Sequence, residues 1–190
     1  DVCSSDLFSK YNCDLSDEQV AREVAQLVAS NYNGNNHTEV YKQCLSMIDL
    51  TSLNSTDTVQ EIIAMTEKVN QFASQFPGLP NVGAICVYPS MVATVKKHLV
   101  PKIGIASVAA GFPSSQTFIE VKVAETAMAV MEGASEIDVV ISIGKFLSGE
   151  YEDVREELQE IKAACRGSHL KVIIESGVLK SADRKSTRLN

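Results

Sequence analysis

Two spacings of apolar residues alternate along this chain. From Cys44 onward, short runs rich in Val and Ile alternate with longer segments whose apolar positions recur every three or four residues. The short runs are 44–50, 82–88, 103–109, 135–142 and 170–176. Each is nearly continuously apolar, as strands covered by helices are. The longer segments, roughly 56–75, 90–98, 115–132 and 151–166, read as amphipathic helices. Ser55 and Ser114 stand where helix caps are expected, and Gly133 and Gly167 where helices should stop.

Alternating β and α units imply a parallel sheet with right-handed crossovers. No GxGxxG follows the first strand, which disfavours the dinucleotide-binding version of such a sheet. The predicted fold class is α/β: a TIM (β/α)8 barrel truncated after about five β/α units. A helical N-terminal extension precedes it, over 8–43. There Ser16 is placed to cap a helix carrying Val20, Val24, Leu27 and Val28 on one face, and the stretch 33–36 (NGNN) reads as a linker.

The partial barrel is assigned to 44–182. The two ends, 1–7 and 183–190, are set apart. Residues 1–7 can be encoded by a DNA string whose reverse complement, one frame over, reads Asp183 to Arg188 and then a codon that Leu189 allows. The ends are thus consistent with opposite strands of one adapter-like DNA, and both are expected to be non-native tails. On this reading the chain is an open-ended fragment.

Charge narrows the function. A net charge of −7 over 190 residues, with scattered Lys and Arg, argues against a nucleic-acid groove and against an anionic membrane surface. No apolar run has the length of a membrane-spanning helix, and the N-terminus has no secretory pattern. The five cysteines (Cys3, Cys13, Cys44, Cys86, Cys165) form no CxxC pair, and there are three histidines (His37, His98, His169). A zinc site or a disulfide framework is therefore not expected. Cys44 and Cys86 lie in apolar runs and are expected to be buried thiols, which fits a cytoplasmic protein.

Three of the strand runs carry a charge. Side chains alternate across a strand, so Asp49 shares a face with Met47 and Thr51, Asp138 with Val140, and Lys171 with Ile173 and Glu175. The outer face of a barrel meets helices and is apolar, so these charges are expected to point inward. Blander readings stand beside this one. Asp49 fits a turn or cap residue at a strand end, Lys171 fits a lysine that snorkels to solvent, and Cys86 fits simple packing. With Asp49 and Asp138 against Lys171 alone, further cations are expected from outside the chain.

The segments 47–54 (MIDLTSLN), 84–89 (AICVYP), 136–140 (EIDVV) and 170–177 (LKVIIESG) occur in that order. Together they resemble the deoxyribose-phosphate aldolases, class I aldolases on a TIM barrel. The resemblance implies reversible cleavage of 2-deoxy-D-ribose 5-phosphate to D-glyceraldehyde 3-phosphate and acetaldehyde through a lysine Schiff base, with no metal and no cofactor. It further implies that Asp138 is the proton-relay carboxylate. Asp49, Thr51 and Cys86 line the pocket, and Lys171 supports the site through its charge. The family's Schiff-base lysine belongs to a sixth strand, which is absent here. Lys185-Ser186-Thr187 imitates its motif but follows the fifth strand too closely for a crossover helix, and Lys180 reads as a surface residue. The chain alone is therefore expected to be inactive, and its oligomeric state stays open. The competing readings are another phosphate-handling barrel aldolase and a non-catalytic half-barrel that acts in binding or assembly.

Overall fold

The computed structural model describes residues 15–179. The two tails, Cys3, Cys13, Lys180 and Lys185 lie outside the described residues. The elements, in order, are α1 (Asp17–Asn35), α2 (Thr38–Ser46), β1 (Asp49–Thr51), α3 (Val59–Gln75), β2 (Ala84–Val87), α4 (Val92–His98), β3 (Gly104–Val108), α5 (Ile119–Glu132), β4 (Glu136–Val140), α6 (Ile143–Ser148), α7 (Tyr151–Ala164), β5 (His169–Ile173) and α8 (Ser176–Leu179). The strands form one parallel sheet in the order β1-β2-β3-β4-β5, so each β/α unit lays its strand beside the previous one. This is the predicted succession of units in a partial barrel.

The sheet has two chemically different faces. Ile85, Val87, Ile105, Ile137 and Val139 point outward and pack against Ile62, Val69, Val92, Val95, Ala129 and Ile161 from the surrounding helices. That buried layer is the main core, and removal of its apolar surface from water is the principal drive for folding. The inner face carries small residues, Ala84, Cys86 and Ala106, with Val108. These leave room for the charged side chains of β1, β4 and β5.

Several boundaries differ from the sequence reading. The run 44–50 is not one strand. Residues Thr38–Ser46 are helical, and the strand begins only at Asp49. Leu45 and Ile48 fit a helix end as well as a strand, a known ambiguity of short apolar runs. Cys44 is therefore an exposed helical residue rather than a buried strand thiol, whereas Cys86 is buried. The linker expected at 33–36 is largely helical, since α1 runs to Asn35.

The cap of α3 is Thr58, not Ser55. Its hydroxyl accepts the Glu61 N–H while the Glu61 carboxylate accepts the Thr58 N–H, a reciprocal capping box. Ser114 does not cap α5, which starts five residues later at Ile119. Gly133 does end α5, with a φ of +116°. Gly167 does not end α7, which stops at Ala164. The short helix α6 was not anticipated.

Ser16 caps α1 as expected, its hydroxyl accepting the Gln19 N–H at 3.2 Å. Beyond that, α1 buries none of its residues, and Val24, Leu27 and Val28 are more than half exposed. Among the described residues, no helix is long and apolar enough to cross a membrane.

Candidate active site

Strand parity and register bring the inner-face charges together. Asp138 and Lys171 are directly opposed in the β4–β5 register, and Glu136 precedes Asp138 by one repeat of the pleat on the same face. The Lys171 ammonium lies 2.5 Å from Asp49 Oδ2, 2.7 Å from Glu136 Oε1 and 2.9 Å from Asp138 Oδ2. In a flat sheet β1 and β5 would be about 19 Å apart, four strand spacings. The Asp49–Lys171 contact therefore requires the sheet to roll toward its inner face, as an arc of a barrel does.

Of the three carboxylates Asp138 is the most enclosed, at 5% exposure. Its two oxygens differ. Oδ2 takes the Lys171 ammonium and lies 3.8 Å from Cys86 Sγ, which donates to it. Among the described residues Oδ1 has no hydrogen-bond partner, although it is buried. Burial pushes the Asp138 carboxyl above its ordinary value, with Lys171 pulling it back down and the charges of Glu136 and Asp49 adding to the rise. Burial also works against the Lys171 ammonium, but hydrogen bonds to Asp49, Glu136 and Asp138 outweigh it and hold that group well above the ordinary lysine range. Three carboxylates around one ammonium thus favour its charged form.

Cys86 stands beside Thr51 in the β1–β2 register, on the pocket side. Burial first, and then the Asp138 carboxylate, push its thiol up to about 12. A thiol so raised is unreactive at neutral pH. Carboxylate oxygens of Asp49, Glu136 and Asp138 all lie within 4.8 Å of one another, a spacing that suits a cation. The Lys171 ammonium sits among them and supplies that positive charge from the chain itself.

A protein-family model, the DeoC/LacD family aldolase, matches residues 44–188. The chain belongs to this aldolase family. A Homo sapiens deoxyribose-phosphate aldolase is 35% identical over 148 residues, covering 72% of this chain and 46% of the relative. The deoxyribose-phosphate aldolase of Metamycoplasma hominis is 38% identical over 136 residues, covering 72% of this chain and 59% of its own length. Among solved structures, an aldolase designated QR15 superposes with a TM-score of 0.61 at 29% identity, over 68% of this chain and 54% of that one. The chain thus spans about half the length of the curated relatives it matches.

Against this aldolase frame, the sequence reading placed Asp49, Thr51, Cys86, Asp138 and Lys171 on one face, and the structure brings all five to it. Asp49 is paired with Lys171 across the inner face rather than capping a turn, and Lys171 is partly exposed while its ammonium engages all three carboxylates. Glu136 was missed as a site residue. The signal was present, because Glu136 has the strand parity of Asp138, but its position at the start of the run made it look like a boundary residue. With it, three carboxylates rather than two face the single cation.

Proposed function

We propose that this chain is the N-terminal part of a deoxyribose-phosphate aldolase, which reversibly cleaves 2-deoxy-D-ribose 5-phosphate to D-glyceraldehyde 3-phosphate and acetaldehyde, and that Asp138 is its proton-moving carboxylate. The observation that carries the reading is the asymmetry of Asp138. One oxygen is anchored by Lys171, and the other is buried with no hydrogen-bond partner among the described residues. A carboxylate held in this way is positioned without being used up, and its raised pKa brings it toward the range where it can both take and return a proton.

The substrate is a β-hydroxy aldehyde in its open form. An amine condenses with C1, releasing water and leaving an iminium. Loss of the C3 hydroxyl proton to a base makes the C3 carbonyl. The C2–C3 bond breaks, and its electron pair flows to the iminium, giving an enamine. Protonation at C2 and hydrolysis then free acetaldehyde. Asp138 takes the C3 proton, directly or through water, and supplies the later one to C2. Lys171 is unsuited to the amine role, because three carboxylates keep it charged. We assign the nucleophile to a lysine of the family's later strands, rather than to Lys180 or Lys185, and expect residues 1–190 alone to be inactive. The surplus of negative charge around Lys171 favours such a second cation.

The test is borohydride trapping. The chain is incubated with 2-deoxyribose 5-phosphate and borohydride, and its intact mass is measured beside that of a longer protein in which residues 8–182 are followed by the native continuation of the gene. The expected result is no adduct on the 190-residue chain and one reduced adduct, with turnover, on the extended protein. An adduct on Lys171, or no adduct and no cleavage by the extended protein, overturns the reading.

A further inference from the structure

A second charged cluster lies on the helix side of the same sheet. Lys122 of α5 is 1% exposed, the largest of the fully buried side chains. Its ammonium donates to Ser142 Oγ at 2.8 Å and to Glu157 Oε2 at 3.1 Å. Ser142 donates to the same Glu157 oxygen at 2.5 Å, and its hydroxyl lies 3.3 Å from that of Ser115. Lys145 reaches Glu157 Oε1 at 2.9 Å. Burial raises the Glu157 carboxyl, yet hydrogen bonds from Ser142, Lys145 and Lys122 bring it below its ordinary value. One turn further along α5, Glu125 accepts the Gly111 N–H at 2.9 Å. The loops that follow β3 and β4 are therefore both tied to α5.

We propose that Lys122 is a positioning residue: by clamping Ser142 to Glu157 it sets the end of β4 and so the placement of Asp138 against Lys171. Ser142 lies four residues beyond Asp138, and the segment between them is held at its backbone by Ala109 N–H to Asp138 O and Ile141 N–H to Ile173 O. Ile141 in the same segment is buried against Phe146, Val154 and Leu179, so the polar clamp acts beside apolar packing. The clamp residues Lys122, Ser142, Lys145 and Glu157, with Ser115 and Thr117, themselves line a cavity of about 300 Å³. Well-packed apolar residues often replace buried ion networks without loss of stability, so the presence of this network does not by itself mark a stabilising role. The catalytic meaning of that placement rests on the proposed role of Asp138; the placement itself does not.

The test follows the Asp138 carboxyl carbon by NMR against pH in the 190-residue chain labelled with ¹³C-aspartate, and so needs no turnover. Asp138 faces Lys171 from β5, Glu136 on its own strand, Asp49 from β1 and Cys86 from β2. If the clamp places it, Lys122→Met, Glu157→Gln and Ser142→Ala all weaken the Asp138–Lys171 contact and all move the midpoint upward, by about half a pH unit or more. Ser142→Thr, which keeps the hydroxyl, leaves it unmoved. A purely Coulombic effect instead moves Lys122→Met and Glu157→Gln in opposite directions, and that result overturns the proposal. So does an unmoved midpoint in folded variants. Ser142→Ala leaves both charges paired, so it carries the test even where Lys122→Met fails to fold.

Discussion

Asp138 and Lys171 stand opposite each other on adjacent parallel strands, and their side chains meet at 2.9 Å. The same ammonium also serves Asp49 and Glu136. Lys171→Met leaves three carboxylates facing one another with no cation. Because Lys171 is itself partly exposed, the expected loss at pH 7 is modest, about 1–2 kcal/mol. The folded-state pKa of Lys171 is raised, so its contribution is fully present below the ordinary lysine value and is lost only as pH rises through the folded one. Across the acid range, the difference between variant and parent shrinks as the carboxylates protonate. Urea unfolding at pH 7 and pH 4 checks this, and equal stability at pH 7 would show that the cluster contributes nothing.

The Cys86 thiol is raised from 9.0 to about 12, chiefly by burial. At pH 8 iodoacetamide is expected to modify the exposed Cys44 while sparing Cys86, as read by peptide mass spectrometry. A raised folded pKa contributes stability that is complete below the unfolded value and lost through the folded one. Stability is therefore predicted to fall between pH 9 and pH 12, and less so in Cys86→Ala. Rapid labelling of Cys86 in the folded chain at pH 8 would contradict the burial argument.

Gly83 precedes β2, where a Cβ would lie 2.8 Å from the Ser46 carbonyl oxygen and 3.5 Å from that of Ile48. Its own N–H bonds the Ile48 carbonyl at 2.9 Å. Both neighbours are backbone and cannot step aside, so Gly83→Ala is expected to destabilise the chain by about 1–3 kcal/mol. Gly34 in α1 has nothing within 4 Å of the same position, and Gly34→Ala serves as the neutral control. Thermal melts of the two variants decide the matter; similar melting points would refute the close approach.

No residue of α1 is buried. A chain starting at His37 is therefore predicted to unfold within about 0.5 kcal/mol of the parent, as surface changes do. A large loss would mean that α1 is held by contacts beyond those it makes in this monomer.

How much of this was legible beforehand follows from the range of each signal. Strand alternation is local, so the inward set Asp49, Asp138 and Lys171 could be read from runs of a few residues. Helix starts were harder. Ser55 and Thr58 are both plausible caps, and only the reciprocal bond to Glu61 selects Thr58. Nothing near Lys122 in sequence sets it apart, because its partners Ser142 and Glu157 come from 20 and 35 residues away.

By itself, then, the sequence determined the order of the five strands and of the long helices between them, the inward set Asp49, Asp138 and Lys171 and the family to which the chain belongs, since these rest on short-range periodicity and contiguous motifs. The tertiary structure decided that Lys171 meets Asp49 across 122 residues, that Glu136 completes the cage, and that one oxygen of Asp138 is left without a hydrogen-bond partner among the described residues. The physical reason is the roll of the sheet. Pleat and register say which side chains share a face, but only curvature, set by packing of the whole layer of helices, decides which of them touch.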